Sequence, residues 1–312
     1  MGLFHCPMGA LYRDDDPCID CGLCEARTRE ELIEASKKIR SHLKFLAPKN
    51  TSVQKIAVCG KGGVGKSTIS TLMANVMAFQ GYTTLLIDTD ESNPGLARML
   101  GLSVEPRPLI KLLKRFSDKE TDAENGWLCK NEISLSDIPA EFLSEKENLK
   151  FLMSGKITDP FEGCACNMAG LIRDLLKKIV LKENEKIIID TEAGIESFGR
   201  GIERSVDTVL IIVEPSFESI GLAEKINYMA GGIGVRTIRA ILNKTPSREI
   251  ENKIKERLSK LKIKSIGSVN FDLKVNEDAF EGKPLEKSRA EEDINSIMKV
   301  LLDQSRSSEK HN

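Results

Sequence analysis

From Lys55 onward, short apolar runs alternate with longer amphipathic stretches. The runs KIAVC (55–59), TTLLID (83–88), LKFLM (149–153), the stretch 186–190 ending in Asp190, TVLIIV (208–213) and TIRAIL (237–242) read as buried strands. Helical stretches lie between them at 67–80, 167–181 and 249–261. In the last of these Ile250, Ile254, Leu258 and Leu261 recur at helical spacing. Alternating β and α units predict an α/β fold, a mostly parallel sheet with helices on both faces. Upstream the pattern differs. Residues 25–46 place Leu32, Ile33, Ser36, Ile39, Leu43 and Leu46 near one helical stripe, and Pro48 ends it. Residues 48–52 read as a linker, and the polar segment 304–312 as a disordered tail. The chain thus divides into a small cysteine-rich module with a helix (1–48), an α/β domain (53–303) and a tail (304–312).

Composition narrows the function classes. The chain has 312 residues, 40% hydrophobic and 30% charged, enough for a sizeable core under an ordinary surface. Lys+Arg is 46 and Asp+Glu 47, for a net charge of −1, which argues against a nucleic-acid footprint and a polybasic membrane anchor. Aromatic residues are 5% of the chain and Trp127 is the single tryptophan, so a base-stacking platform is not expected. No apolar run approaches the ~18 residues of a membrane span. Met1–Tyr12 lacks the pattern of a secretory signal, and the C-terminal segment lacks a basic amphipathic membrane helix. A cytoplasmic protein without nucleic-acid or membrane partners is expected.

The strongest motif is GKGGVGKST at 60–68. Gly60, Gly65, Lys66 and Ser67 occupy the fixed positions of the phosphate-binding loop, after a strand and before a helix. Gly60, Gly62, Gly63 and Gly65, with Val64 between them, let backbone N–H groups curl around phosphate oxygens. The helix opening at Lys66, Ser67 and Thr68 favours an anion at its N-terminus. Lys66 would reach the β- and γ-phosphates of a nucleoside triphosphate, and the Ser67 hydroxyl would ligate Mg²⁺. This motif makes the fold class a P-loop NTPase. Asp88 and Asp190 end two strands beside the loop, where a magnesium shell belongs, and the N–H of Gly194 is a candidate γ-phosphate donor.

The early lysine in KGGVGKST resembles the deviant phosphate loop of the dimeric ATPases that include nitrogenase iron protein, the arsenite-pump ATPase and the cell-division (MinD) and plasmid-partition ATPases. The resemblance implies that Lys61 crosses a homodimer interface to the partner's nucleotide. It implies that Asp88-Thr89-Asp90 is the first switch, with Asp88 near Mg²⁺ and Asp90 orienting or deprotonating the attacking water. It also implies that Asn243, at the end of strand 237–242, reads adenine, which makes ATP the expected nucleotide.

Cys164 and Cys166 are separated by one residue ahead of an expected helix, whose N-terminus lowers thiol pKa values. If the pair is extended, both sulfurs face one side. Two thiolates leave a tetrahedral site half filled, and a symmetric dimer brings four. A pair of buried small residues is the competing reading. The strings FLMSGKI (151–157), GCAC (163–166), DTEAGIESFGRG (190–201) and VDTVLIIVEPSFESI (206–220) resemble the CooC-type ATPases that mature nickel carbon monoxide dehydrogenase. That resemblance implies Ni²⁺ or Zn²⁺ bound across the dimer by Cys164 and Cys166. Relatives commonly have Pro after the second Cys, where this chain has Asn167.

Members of that family usually begin at the first strand, whereas here a cysteine-rich segment precedes it. Cys18, Cys21 and Cys24 have the C-x-x-C-x-x-C spacing of a [4Fe–4S] cluster, and Cys6-Pro7 offers a remote fourth ligand. A four-thiolate zinc site is the alternative. Cys59 reads as core or loop packing, and Cys129 has no assignment. Together these features lead to an expected dimeric, MgATP-dependent metallochaperone. It would hydrolyse ATP to support nickel insertion into an anaerobic metalloenzyme such as carbon monoxide dehydrogenase. An ATP-gated iron–sulfur electron donor of the nitrogenase iron protein kind is the rival.

Overall fold

The structure, a computed structural model, describes residues 53–90, 95–115, 126–155, 165–195 and 205–309, with Thr28, Glu30, Glu31 and Glu34 upstream. Eight strands form one sheet: β1 (Lys55–Gly60), β2 (Thr83–Asp88), β3 (Ser144–Lys146), β4 (Leu149–Met153), β5 (Glu185–Asp190), β6 (Thr208–Val213), β7 (Thr237–Thr245) and β8 (Lys264–Asn270). Their order is β3-β4-β2-β5-β1-β6-β7-β8. Every pairing is parallel except that of β3 with β4. The helices are α1 (Lys66–Phe79), α2 (Leu96–Met99), α3 (Ile110–Arg115), α4 (Ala165–Lys178), α5 (Phe217–Gly232), α6 (Arg248–Lys260), α7 (Leu273–Glu281) and α8 (Arg289–Glu309).

Period-two alternation sends successive side chains of the central strands to opposite faces, and both faces are covered. Ile56 and Val58 of β1 join a core with α1 and α8. Ala57 and Cys59 join another with α5 and α6, and Ile187 and Ile189 of β5 pack toward α4. Cys59 is fully buried, in keeping with a packing role.

The six strands read from the sequence are present, β1, β5 and β7 being longer than their apolar runs. The two edge strands are not legible as runs. β3 has three residues, with Glu145 and Lys146 exposed, and β8 buries only Ile266 and Val269. Gly267 in β8 has a packing reason: a Cβ there would lie 2.4 Å from Ile297 Cγ1 of α8. Helix α8 is anchored by Ile294, Ile297, Met298, Leu301 and Leu302. Its helical backbone continues to Glu309, into the segment 304–312 whose polarity reads as a tail.

Upstream, Thr28 and Glu31 form a reciprocal cap. Glu31 N donates to Thr28 Oγ1 at 3.2 Å and Thr28 N to Glu31 Oε2 at 3.0 Å, as at a helix start. Glu30, Glu31 and Glu34 are helical; the remaining residues of the expected helix 25–46, the linker and Cys6, Cys18, Cys21 and Cys24 lie outside the described residues. Among the described residues no helix is long and apolar enough to cross a membrane.

Candidate functional site

The site is built where β1, β2 and β5 end side by side. Asp88 and Asp190 are register partners at the carboxyl ends of β2 and β5, and Val58 of β1 pairs with Asp190. The chain then turns through the loop 60–65 into α1. Gly60 has φ +153°, and a Cβ there would lie 2.7 Å from the Ile212 carbonyl oxygen, so only glycine lets β1 turn against β6. Val64 is fully buried beneath the loop, and its N–H donates to the Lys61 carbonyl at 3.3 Å. Gly65 has φ +95° and caps α1.

Lys66 is 7% exposed, and its Nζ lies 3.4 Å from the Lys61 carbonyl oxygen within the loop's curl. Ser67 Oγ donates to Asp190 Oδ2 at 2.6 Å, and Ser70 Oγ, one turn along α1, donates to Asp190 Oδ1 at 3.0 Å. Asp190 is completely buried. Burial pushes its carboxyl up to about 6; the two serine donors and Lys66 pull the other way. Thr89 fastens β2 to β5 by donating Oγ1 and N–H to the Asp190 carbonyl at 2.8 and 3.0 Å. Asp90 N donates to Asp88 Oδ1 at 3.0 Å, fixing the turn that follows β2. Ser67 Oγ with the carboxylates of Asp88 and Asp190 makes a hard-oxygen donor set, which fits Mg²⁺. Bound there, the ion would supply charge neutralisation at the β- and γ-phosphates.

Lys66, Ser67 and Asp90 face a cleft of about 760 Å³. Its floor is Gly62, Gly63, Gly65, Lys66, Ser67 and Thr68, and Asp90 and Ala193 form one wall. It is also walled by Arg98 and Met99 of α2 and by the C-terminal end of α7 with the two residues after it, from Ala279 to Lys283. The Leu285 N–H ties that end to the Met99 carbonyl at 2.9 Å.

Three of the expected residues make contacts within the chain that the motifs do not indicate. Lys61 is not among the cleft's lining; its Nζ lies 2.9 Å from Glu214 Oε1. Asn243 is 7% exposed, and its Nδ2 donates to the Val64 carbonyl at 2.8 Å, bracing the loop from behind. The Gly194 N–H donates to the Gly60 carbonyl at 3.1 Å, so a γ-phosphate contact requires that bond to open. Ser70, which bonds Asp190, and Arg98, which lines the cleft, are site residues the motif reading missed. Ser70 alone had a usable signal, its i+3 spacing from Ser67 on one helical face.

Cys164 lies outside the described residues. Cys166 is described only as backbone, within the first turn of α4, which begins at Ala165 rather than after the pair.

A mostly parallel sheet with a glycine loop, a buried lysine and strand-end carboxylates at its carboxyl edge defines a P-loop nucleotide-binding protein. Residues 55–285 match the CobQ/CobB/MinD/ParA nucleotide binding domain, and the chain belongs to that family. It is 43% identical over 215 residues to an ATP-binding protein of Methanocaldococcus jannaschii, covering 67% of this chain and 85% of that protein. It is 35% identical over 226 residues to the carbon monoxide dehydrogenase accessory protein CooC of Rhodospirillum rubrum, covering 70% and 84%. The septum site-determining protein MinD of Pyrococcus horikoshii, complexed with Mg-ADP, superposes with a TM-score of 0.59 at 16% identity, covering 80% and 96%, a likeness of fold.

Proposed function

We propose that the protein is a MgATP-hydrolysing homodimer that serves as an accessory protein to a metalloenzyme, with nickel as its cargo and carbon monoxide dehydrogenase as its client. The observation that carries the reading is the set of three carboxylates: Asp88 and Asp190 at adjacent strand ends, with Ser67 bonded to Asp190, and Asp90 two residues beyond β2 on the cleft lining. A binding-only loop has no use for a carboxylate poised beyond the phosphates. The 35% identity to CooC supports the accessory role and the client.

In this reading Lys66 neutralises the β- and γ-phosphates, while Ser67, Asp88 and Asp190 hold Mg²⁺. Asp90 orients the attacking water and takes its proton. Asn243 keeps Val64 and Gly65 in place behind the phosphates and has amide capacity left for the adenine base. Lys61 acts across the dimer. Closure brings two Cys164/Cys166 pairs together to hold nickel or zinc as four thiolates. Cys6, Cys18, Cys21 and Cys24 hold a [4Fe–4S] cluster.

The test mixes the purified protein with nickel-free client enzyme, Ni²⁺ and MgATP under anaerobic conditions. Client activity should appear only with hydrolysable ATP and should be lost in Lys66→Ala. Equal activation without ATP would overturn the reading.

A further inference from the structure

Lys61 makes its contact within its own protomer. Its Nζ is 2.9 Å from Glu214 Oε1, with the lysine side chain 38% exposed and the glutamate 19%. The Glu214 carboxylate, with Glu218 adding at longer range, holds the Lys61 ammonium above its usual pKa. Glu214 directly follows β6 and is fixed there, its N–H donating to Ser219 Oγ at 3.1 Å. Its other oxygen, Oε2, lies 3.8 Å from Lys244 Nζ. Lys244 has the left-handed backbone φ of 56° and donates Nζ to the Gly63 carbonyl at 2.6 Å. One carboxylate therefore sits between two lysines on the outer side of the phosphate loop, and Lys61 points away from its own cleft.

We propose that Glu214 is a positioning residue that holds Lys61 within its own protomer, and that nucleotide-driven pairing of two copies must break this ion pair. The proposal rests on the reading that Lys61 acts on the partner's phosphates. The exchange is chemically reasonable. A triphosphate offers the ammonium more negative charge than one carboxylate, in an interface that excludes water. Glu214 is not stranded when Lys61 leaves, because Lys244 remains as its counter-charge. The latch raises the threshold for pairing, so the lysine is committed only when a loaded partner is present. A half-exposed ion pair is worth about threefold in an equilibrium constant, and a symmetric dimer breaks two, for about tenfold.

The test measures association of the full chain by sedimentation with Mg²⁺ and a non-hydrolysable ATP analogue, alongside steady-state ATP turnover against protein concentration. Glu214→Gln should associate about tenfold more tightly and reach half-maximal turnover at lower protein concentration, with kcat per dimer unchanged. Glu214→Asp keeps the charge with a shorter reach and should fall between wild type and Glu214→Gln; it carries the test if the glutamine variant does not fold. In a Lys61→Ala background Glu214→Gln should change nothing. A Glu214→Gln protein that associates like wild type or more weakly, or an effect that survives Lys61→Ala, overturns the latch. If Lys61→Ala abolishes association while Glu214→Gln is silent, the latch alone falls. If Lys61→Ala associates and turns over like wild type, the trans-acting lysine falls and takes the latch with it.

Discussion

The side chain of Asn243 fills the space that a Cβ on Gly65 would need. That atom would lie 2.4 Å from Asn243 Nδ2, which itself donates to the Val64 carbonyl at 2.8 Å. The glycine cap of α1 and the asparagine at the end of β7 are thus one unit, and the loop's curl depends on both. Asn243→Ala leaves the buried Val64 carbonyl without its donor, a loss of about 1–2 kcal/mol in stability. ATP and inorganic tripolyphosphate binding should weaken together, about tenfold. Calorimetric titration of both ligands measures this, and unchanged tripolyphosphate affinity would remove the bracing role.

The central half of this site was legible because its physics is local. A glycine loop between strand and helix places Lys66 and Ser67 by spacing alone, and apolar strands ending in Asp88 and Asp190 bring two carboxylates to one sheet edge. The edge strands were not legible. β3 is polar, and β8 is interrupted by Gly267 for the sake of Ile297. Nor were the roles of Asn243 and Glu214, which depend on contacts across 179 and 153 residues of sequence. Such contacts follow from the strand order, and periodicity carries no information about it. The α7–α2 wall of the cleft was missed for the same reason.

Binding and hydrolysis should separate at Lys66 and Asp90. Lys66 supplies the positive charge inside the loop, so Lys66→Ala should lose ATP affinity at least 100-fold, about 3 kcal/mol. Asp90 lines the cleft, and in the proposed mechanism it serves only the water. Asp90→Ala should bind ATP within about threefold of wild type while kcat falls 10²-fold or more. Fluorescent-nucleotide binding and phosphate release read the two effects, and wild-type turnover in Asp90→Ala would remove that residue from the chemistry.

Asp190 gives the metal-free protein a pH signature. Its carboxyl is pushed up to about 6 in the folded state, chiefly by burial, against about 3.9 in an unfolded chain. Between those values the folded state binds the extra proton. Its contribution to stability is therefore largest below about pH 4 and is lost as pH rises through about 6, by about 3 kcal/mol in all. In chelator and without nucleotide, Asp190→Asn should melt higher than wild type at pH 7, and the gap should shrink toward pH 4. Mg²⁺ competes with that proton, so MgATP binding should strengthen as pH rises through about 6. A gap that does not vary with pH would mean the carboxyl titrates at an ordinary value.

Removing residues 1–48 should leave a folded ATPase, because the described core is formed by residues 53 to 302. The truncated protein should keep its melting transition and its kcat. It should lose the brown absorption near ~400 nm and the sulfide expected of a cubane cluster ligated by Cys6, Cys18, Cys21 and Cys24. A truncated protein that retains all its iron would place the cluster elsewhere, with Cys164 and Cys166 the first candidates. A zinc-only full-length protein would give the N-terminal site to zinc.

Metal and nucleotide should promote the same assembly. One chain offers two thiolates at Cys164 and Cys166, and a tetrahedral thiolate site takes four. If the second pair comes from a second copy, metal binding must strengthen pairing, and pairing must raise metal affinity by the same factor. ATP should act in the same direction if, as proposed, Lys61 reaches a partner's phosphates only in the closed dimer. In the proposed cycle, loss of the γ-phosphate should release the switch around Asp90, relax the interface and open the four-thiolate site to its ion. With residues 1–48 removed, so that their cysteines do not compete, Ni²⁺ or Zn²⁺ should bind at one ion per two chains. Each should shift the protein toward dimer in sedimentation, and more strongly with a non-hydrolysable ATP analogue. Cys164→Ser/Cys166→Ser should lose the metal and its effect on association while keeping the response to nucleotide. If that variant binds the same ion at the same stoichiometry, or if metal leaves the monomer–dimer balance of the parent unchanged, the shared thiolate site is wrong, and the nucleotide and the cargo are not coupled through this interface.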